Sequence, residues 1–288
     1  MYAITGITGQ VGGQLAHVLL HGGHAVRAVV RDAAKGTPWA ALGCDVAVAD
    51  ALDVAAMTRA FSGADGVFIL LPPNFDPSPG FPESDAIIAA FDAALRASAP
   101  NKIVCLSTIG AQAVEANLLQ QLGRMESVLG RLPMPVAFLR AAWFMENFVW
   151  DLASARDQGV LASYLQPLEQ PQPMIATADI GRVAAELLQQ TWSGVRIVEL
   201  EGPRRYAPLD VAAALAAVLD RPVRAEAVPR AAWEANFIAQ GMQHPLPRMQ
   251  MLDGFNAGWI RFEAGPQNTR KGATTLDTVL ADLARRSA

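Results

Sequence analysis

The sequence predicts an α/β fold built on a doubly wound parallel sheet, and three features of the chain support this prediction. Short apolar segments with strand character alternate with helical segments through the first half of the 288 residues. The segment GVFILL, residues 66–71, is continuously apolar, as is typical of a parallel strand that is buried on both faces. The first strand also runs directly into three glycines, Gly6, Gly9 and Gly12, which open a helix.

The predicted elements follow one another in regular order up to residue 150. The strands are a segment that ends before Gly6, a second that ends at Arg31, and residues 44–50, 66–71, 102–108 and 135–140. Helices are predicted directly after the glycines and at residues 53–61, 83–97 and 115–129. Six such strands with helices between them predict a Rossmann-type sheet, in which ligands bind beyond the carboxyl ends of the strands.

The pattern is less regular after residue 150. Helices are predicted at residues 177–190 and 208–219, and strands at 196–202 and 221–228. We therefore divide the chain into a nucleotide-binding domain, residues 1–150, and a smaller α/β region, residues 151–288, that is interleaved with it. Aromatic residues and methionines between Trp233 and Phe262 either line a pocket for a flat ligand or form the core of this region, and the core is favoured for most of them.

The three glycines have the spacing of a site for a nucleotide pyrophosphate. The chain must turn sharply at Gly6 and must let a phosphate approach the backbone near Gly9, and a Cβ at either position would obstruct this. Free N–H groups at the start of the following helix favour an anion, and the hydroxyls of Thr5 and Thr8 can add contacts. A glycine triplet alone also fits a structural turn, but its position between a strand and a helix favours the nucleotide site.

Arg31 ends the second strand, where such units bind the adenosine ribose. An arginine there suits a 2′-phosphate because its guanidinium fits two phosphate oxygens, whereas an acidic residue suits a free 2′-hydroxyl. In the alternative interpretation Arg31 is a solvated residue and Asp32 is the ribose ligand. We favour the first and predict NADP(H) as the cofactor, with NAD(H) less favoured.

Further cofactor contacts are predicted where the next three strands end. The residues are Asp50 with Ala51, Leu71 with Pro72, and Ser107. Because the carboxyl ends of parallel strands meet at one edge of a sheet, we expect these residues to line one crevice with the glycines and Arg31.

The composition argues against several classes of protein. Hydrophobic residues make up 52% of the chain and charged residues 17%, with a net charge of -4, which predicts a soluble globule without a nucleic-acid surface. No apolar run approaches membrane-spanning length, and no signal-peptide pattern precedes the first strand. Cys105 lies in an apolar strand, where a reduced thiol is expected. We expect a cytoplasmic protein without membrane contact.

Other site chemistries fit the sequence poorly. His17 and His21 are four residues apart on a helix, but they lie opposite its apolar face and lack a third ligand, so we expect no metal site. Ser107 and Thr108 are not part of the Gly-x-Ser-x-Gly turn of a hydrolase nucleophile.

Four segments resemble the NmrA-like group of atypical short-chain dehydrogenases/reductases, which includes quinone oxidoreductases, triphenylmethane reductases and redox-sensing regulators. The segments are TGITGQVGG, HAVRAVVRD, FLRAAWFMENF and IATADIGRVAAELL, in the order found in that group. The resemblance implies that the C-terminal region completes a substrate cleft, and that Trp143, Phe144 and Asn147 lie beside the nicotinamide and the substrate. It also implies NADP(H) binding through Gly6, Thr8, Gly9, Gln10, Val11 and Arg31.

The chain departs from the catalytic pattern of typical short-chain dehydrogenases, which use Tyr-x-x-x-Lys for proton transfer. Its tyrosines are Tyr2, Tyr164 and Tyr206, and none has a lysine four residues later. The NmrA-like group often keeps a lysine or histidine four residues before a glutamate, but here Leu122 precedes Glu126. The sequence therefore identifies no catalytic residue.

Two functions fit these observations. The first is an NADPH-dependent reductase of a flat, electron-poor aromatic substrate such as a quinone or a dye, in which hydride transfer depends on placement and the solvent or substrate supplies the proton. The second is a non-catalytic NADP(H)-binding sensor that acts through a protein partner. The aromatic residues after Arg140 favour the reductase.

Overall fold

The computed structural model describes residues 1–287 and contains a central parallel sheet. The strands are β1 (Tyr2–Ile4), β2 (Val26–Val30), β3 (Asp45–Val48), β4 (Gly66–Leu70), β5 (Ile103–Thr108), β6 (Val136–Ala141), β7 (Trp143–Phe144), β8 (Val160–Ser163), β9 (Met174–Ile175), β10 (Val195–Glu201), β11 (Arg224–Ala227) and β12 (Arg270–Lys271).

The helices alternate with these strands in the first half of the chain. They are α1 (Gln10–His21), α2 (Ala33–Ala41), α3 (Val54–Phe61), α4 (Pro82–Ser98), α5 (Gln120–Leu129), α6 (Leu152–Gln158), α7 (Thr177–Gln189), α8 (Pro208–Leu219), α9 (Trp233–Ala239), α10 (Leu246–Ala257) and α11 (Leu276–Arg286). Short 3₁₀ helices cover Met145–Trp150 and Arg230–Ala232.

Eight strands form the main sheet, in the order β12-β10-β6-β5-β4-β1-β2-β3. All neighbours in it are parallel, which confirms the predicted doubly wound α/β fold. The winding reverses between β1 and β4, so the β1–α1 loop lies at the switch point where such sheets bind ligands. The second half of the chain adds β10 and β12 to the six predicted strands, while β11 pairs with β8 in a separate small sheet.

The two halves of the chain share one buried core. Helix α1 packs against α7, and the Cβ of an alanine at Gly181 would lie 2.7 Å from the backbone nitrogen of Leu15. The buried face of α1 includes Val11, Leu15 and Leu19, whereas Val18 on the same helix is 37% exposed. The division at residue 150 stays a prediction.

Some helix boundaries differ from the sequence prediction for local reasons. The helix predicted from residue 115 begins only at Gln120, because the Asn117 side chain bonds to Glu115 O and to the N–H of Leu119 and so holds a turn. Helix α2 was not predicted, since Gly36 and Pro38 interrupt its pattern, yet Asp32 caps its start. Within residues 1–287, no helix combines the length and apolar character that a bilayer crossing requires.

Candidate functional site

The β1–α1 loop is shaped by its glycines. Gly6 has φ of +63°, the left-handed region that favours glycine, and a Cβ there would lie 3.2 Å from the side chain of Leu70. A Cβ at Gly12 would lie 2.3 Å from Gly6 O. Any larger residue at Gly12 would therefore push the loop away from the helix that it opens.

The start of α1 has the character of an anion site. Its N-cap residue is Gly9, so no side chain caps the free N–H groups, and its first turn has no acidic residue. Thr8, Gly9 and Gln10 are exposed, whereas the Val11 side chain is buried in the core, so Val11 can serve the site only through its backbone. This arrangement fits the pyrophosphate of a dinucleotide, which accepts hydrogen bonds from such groups.

Thr5 has a different role from the predicted one. Its hydroxyl donates to Phe68 O at 3.1 Å and accepts from the N–H of Leu70 at 2.8 Å. These bonds join the ends of β1 and β4, so the hydroxyl holds the sheet together instead of facing an anion.

Arg31 and Asp32 follow β2 and have distinct environments. The Asp32 carboxylate accepts a hydrogen bond from the N–H of Ala34 at 2.9 Å and caps α2. Arg31 is exposed, and its guanidinium makes no hydrogen bond or ion pair with residues 1–287. Of the two alternatives for the ribose end, this geometry favours Arg31 because Asp32 already has a structural partner.

The residues predicted after β3 and β4 lie at the same edge of the sheet. Asp50 is exposed and accepts from the N–H of Leu52 at 2.9 Å, with Ala51 beside it. Leu71 is only 8% exposed and packs in the core, so it offers the edge its backbone, while Pro72 is half-buried. Contact of these four residues with a cofactor stays a prediction.

A buried ion-pair network lies where β5 and β6 end. Arg140 donates to both oxygens of Glu126, through Nε at 3.0 Å and Nη2 at 2.7 Å. Its Nη1 donates to Glu263 at 2.9 Å and lies 3.6 Å from Glu199. The Ser107 hydroxyl donates to Glu126 as well. The side chains of Arg140, Glu126 and Glu199 are 4%, 11% and 3% exposed and that of Glu263 is 62% exposed, so one buried guanidinium is the counter-charge of two buried carboxylates.

This network changes the interpretation of Ser107 and Glu126. The Ser107 side chain is buried against Glu126, so only its backbone is open to the predicted cofactor contact, which stays a prediction. Burial opposes the charge of Arg140, but its hydrogen bonds to Glu126 and the charges of Glu126 and Glu263 raise its pKa above the usual value. This pairing is not among the contacts predicted from the sequence. The signal that could have indicated it is a pair of opposite charges, Glu126 on the predicted helix 115–129 and Arg140 at the end of the predicted strand 135–140.

The segment predicted to face the substrate follows β6 directly. Trp143 and Phe144 form β7 and pair with β9, and Asn147 lies half-buried in the 3₁₀ helix. The Trp143 ring meets that of Phe255 edge-on, with 5.4 Å between ring centroids. The Trp143 Nε1 is buried and has no hydrogen-bond partner among the described residues. An aromatic wall therefore stands beside the carboxyl ends of β5 and β6.

The C-terminal region is tied to the loops after β4 and β5. Asp76 accepts from the N–H groups of Gln243 at 2.8 Å and His244 at 2.6 Å. Pro247 O accepts from the N–H of Leu118 at 2.9 Å. These bonds fix the segment before α10 and the first turn of α10 to the loops at the carboxyl edge of the sheet.

Most of the C-terminal aromatic residues form a core, as the sequence favoured. Trp233 and Phe237 are 1% and 0% exposed, and Phe255 is 2% exposed. Tyr164 stacks on Phe237 with 4.9 Å between centroids. Met242 and Trp259 are half-buried at the margin of this cluster. A flat ligand would therefore meet the margin of the cluster and not its centre.

Comparison with known proteins identifies the family. The model of the NmrA-like family matches residues 2–259, most of the chain. The chain belongs to the NmrA-like family. This confirms the resemblance that the four sequence segments indicated.

Similar proteins of this family have reductase names. The chain is 27% identical over 230 residues to an NAD(P)H azoreductase of Xenophilus azovorans, which covers 79% of the chain and 77% of the relative. It is 28% identical over 218 residues to quinone oxidoreductase 2 of Escherichia coli strain K12, covering 75% and 73%. The NADPH-dependent quinone oxidoreductase QOR2 of Escherichia coli, crystallised with NADPH, has the same fold, with a TM-score of 0.81, 23% identity, and coverage of 99% and 100%.

The Arg140 network should be essential to the stability of this NmrA-like chain. Replacing Arg140 by Leu leaves Glu126 and Glu199 buried without their counter-charge, so we expect a loss of about 3–5 kcal/mol in the free energy of unfolding. Chemical denaturation measures this loss. Arg96→Leu breaks an exposed pair with Asp92 and should cost less than about 1 kcal/mol. Equal losses in the two variants would contradict the role of the network.

Asp151 is a second unusual charge near the aromatic segment. It lies between the 3₁₀ helix and α6, and its side chain makes no capping hydrogen bond. Burial raises the pKa of Asp151 to about 6. The folded state therefore binds a proton more tightly than the unfolded state, and Asp151 lowers stability as the pH rises through this range.

Asp151→Asn should thus stabilise the protein in a pH-dependent way. At about pH 8 the charge is absent from the variant, and we expect a gain of about 3 kcal/mol, most of which disappears near pH 4 where the wild-type carboxyl is protonated in the folded state. Unfolding curves at the two pH values test this. Asp157→Asn, an exposed change on the same helix, should shift stability by less than about 0.5 kcal/mol at either pH. A gain from Asp151→Asn that is independent of pH would refute the explanation.

Proposed function

We propose that this chain is an NADPH-dependent reductase of flat, electron-poor aromatic substrates such as quinones or dyes. The observation that carries the proposal is a combination at one edge of the sheet. The uncapped start of α1 lies at the switch point, the unpaired Arg31 follows the next strand, and Trp143 stands on the other side. The first two fit a phosphorylated dinucleotide, and an aromatic wall suits a flat acceptor.

The relatives support this proposal. The names of the azoreductase and of quinone oxidoreductase 2 describe reduction chemistry, and QOR2 was crystallised with NADPH. These relatives confirm the expectation of an oxidoreductase that uses NAD(P)H. The substrate class of this chain is our proposal.

The residues have separate roles in the proposed reaction. The backbone N–H groups of Gln10 and Val11 hold the pyrophosphate, because the N–H of Gly9 already donates to Gly6 O, and Arg31 holds the 2′-phosphate. The reduced nicotinamide, when bound, supplies the hydride. Trp143 and Phe144 orient the acceptor and exclude water from one of its faces. Since no tyrosine or lysine follows β5 in the pattern of typical short-chain dehydrogenases, the proton comes from the solvent or the substrate.

Acceptor-dependent oxidation of NADPH tests the reductase. The purified protein is mixed with NADPH and a panel of quinones, azo dyes and triphenylmethane dyes, and absorbance of NADPH is followed. We expect oxidation that depends on both protein and acceptor. Tight NADPH binding without oxidation by any acceptor would reject the reductase and favour a non-catalytic sensor.

Arg31 should determine the preference for NADPH. Arg31→Ala removes the partner of the 2′-phosphate, so we expect the dissociation constant of NADPH to rise by about tenfold or more while that of NADH changes little. Calorimetric titration measures both constants. Arg131→Ala removes an exposed arginine after α5 and should leave both constants unchanged. If NADH binds wild type as tightly as NADPH does, the prediction for Arg31 is wrong.

A further inference from the structure

Arg248 is a half-buried arginine without a carboxylate partner. It lies on α10, and its guanidinium carbon stands 4.7 Å from the centroid of the Phe237 ring. Its one hydrogen bond within residues 1–287 goes to the Met242 sulfur, at 3.7 Å, and no carboxylate of this range lies within 4.0 Å. A thioether is a weak acceptor, so most of the five N–H donors of Arg248 have no protein partner.

Two other arginines, one exposed over an aromatic ring and one buried, are paired with carboxylates. Arg230 lies over Trp233 in the same aromatic cluster, at 4.8 Å, and forms a bidentate pair with Asp253 at 2.7 and 2.8 Å. The buried Arg140 contacts Glu126 and Glu263. Stacking on an aromatic ring is therefore accompanied by an anion at Arg230 but not at Arg248. Burial lowers the pKa of Arg248, as expected of a desolvated cation that lacks a counter-charge.

The position of Arg248 connects it with the candidate cleft. The carbonyl oxygen of the preceding residue, Pro247, accepts a hydrogen bond from the N–H of Leu118 in the segment after β5. Residues 248, 252 and 255 share one face of α10 by their spacing, and Phe255 on that face meets Trp143 after β6. Arg248 thus lies on a helix whose first turn is hydrogen-bonded to the segment after β5 and whose Phe255 contacts the aromatic residue predicted to face the substrate.

We propose that Arg248 binds an acidic substituent of the aromatic substrate, a carboxylate, sulfonate or phosphate group, and that the chain prefers anionic acceptors to neutral ones. The guanidinium fork matches two oxygens of such a group, and partial burial strengthens the contact. The inference rests on the proposed reductase function and adds to it the charge of the substrate.

Paired ligands that differ in charge test the proposal. The probes are anthraquinone-2-sulfonate and the neutral 2-(hydroxymethyl)anthraquinone, titrated into the protein saturated with NADP⁺ while tryptophan fluorescence is followed. For wild type we expect the sulfonate to bind about tenfold tighter or more. Arg248→Gln should remove this preference by raising the dissociation constant of the sulfonate alone, and Arg248→Lys should keep part of the preference.

Arg230→Gln is the matched control, since it changes an arginine of the same cluster that already has a carboxylate partner. It should keep the preference of wild type. Equal weakening of both probes by Arg248→Gln, or no preference in wild type, would overturn the proposal. Thermal unfolding checks that Arg248→Gln folds. If it does not fold, the titrations are repeated on wild type with added salt. In wild type, salt must then raise the dissociation constant of the sulfonate and leave that of the neutral probe unchanged. No effect of salt on the sulfonate, or an equal effect on both probes, overturns the proposal.

The same experiment separates this inference from the proposed function. The titrations measure binding without turnover, whereas addition of NADPH measures acceptor reduction. A preference for the sulfonate that depends on Arg248, in a protein that oxidises no NADPH, would reject the reductase and retain the anion site. Reduction of both quinones with equal efficiency by wild type and Arg248→Gln would reject the anion site and retain the reductase.

Discussion

The buried charge of Arg140 is the interaction on which the rest of the site depends. Its guanidinium joins α5, through Glu126, to β10 and the segment before β12, through Glu199 and Glu263. Arg140 lies in β6, and Trp143 follows three residues later. The Glu199 carboxylate also accepts from the N–H groups of Glu263 and Ala264. Because a buried charge is costly unless its partners surround it, an arrangement of these elements that separates Arg140 from its carboxylates would be strongly destabilised.

At the glycine loop, in contrast, polar groups are left without a protein partner within residues 1–287. Helices α2 and α3 begin with Asp32 and Asp53, whose carboxylates satisfy free N–H groups. The N-cap residue of α1 is Gly9, which has no side chain, so the first N–H groups of this helix lack a side-chain cap. A capping side chain there would contribute about 1 kcal/mol of stability but would occupy the place of a phosphate. At this edge of the sheet the network around Arg140 positions the elements, and the uncapped start of α1 is proposed to bind the phosphates.

The sequence predicts the parts of this molecule that depend on local spacing. The glycine loop, the six strands of the first half and the end of β2 at Arg31 follow from short patterns, because turns and buried strands need particular residues at particular distances. The network around Arg140 could not be predicted in this way, since Glu199 and Glu263 are distant in sequence and only strand order brings them together. The start of α5 was misplaced because one side chain, Asn117, competes with the helix for backbone bonds.

The two arginines assigned to ligands show why burial and position must be weighed together. An unpaired arginine on the surface, such as Arg131, is fully hydrated and indicates nothing by itself. Arg31 is equally exposed, and its assignment depends on its place at the end of β2, one strand from the switch point. Arg248 is assigned for a different reason, because a cation that has lost part of its hydration without gaining a carboxylate is unfavourable. A ligand with one anionic end would remove that cost, and for this reason the proposed anionic substrate would bind more tightly than a neutral one.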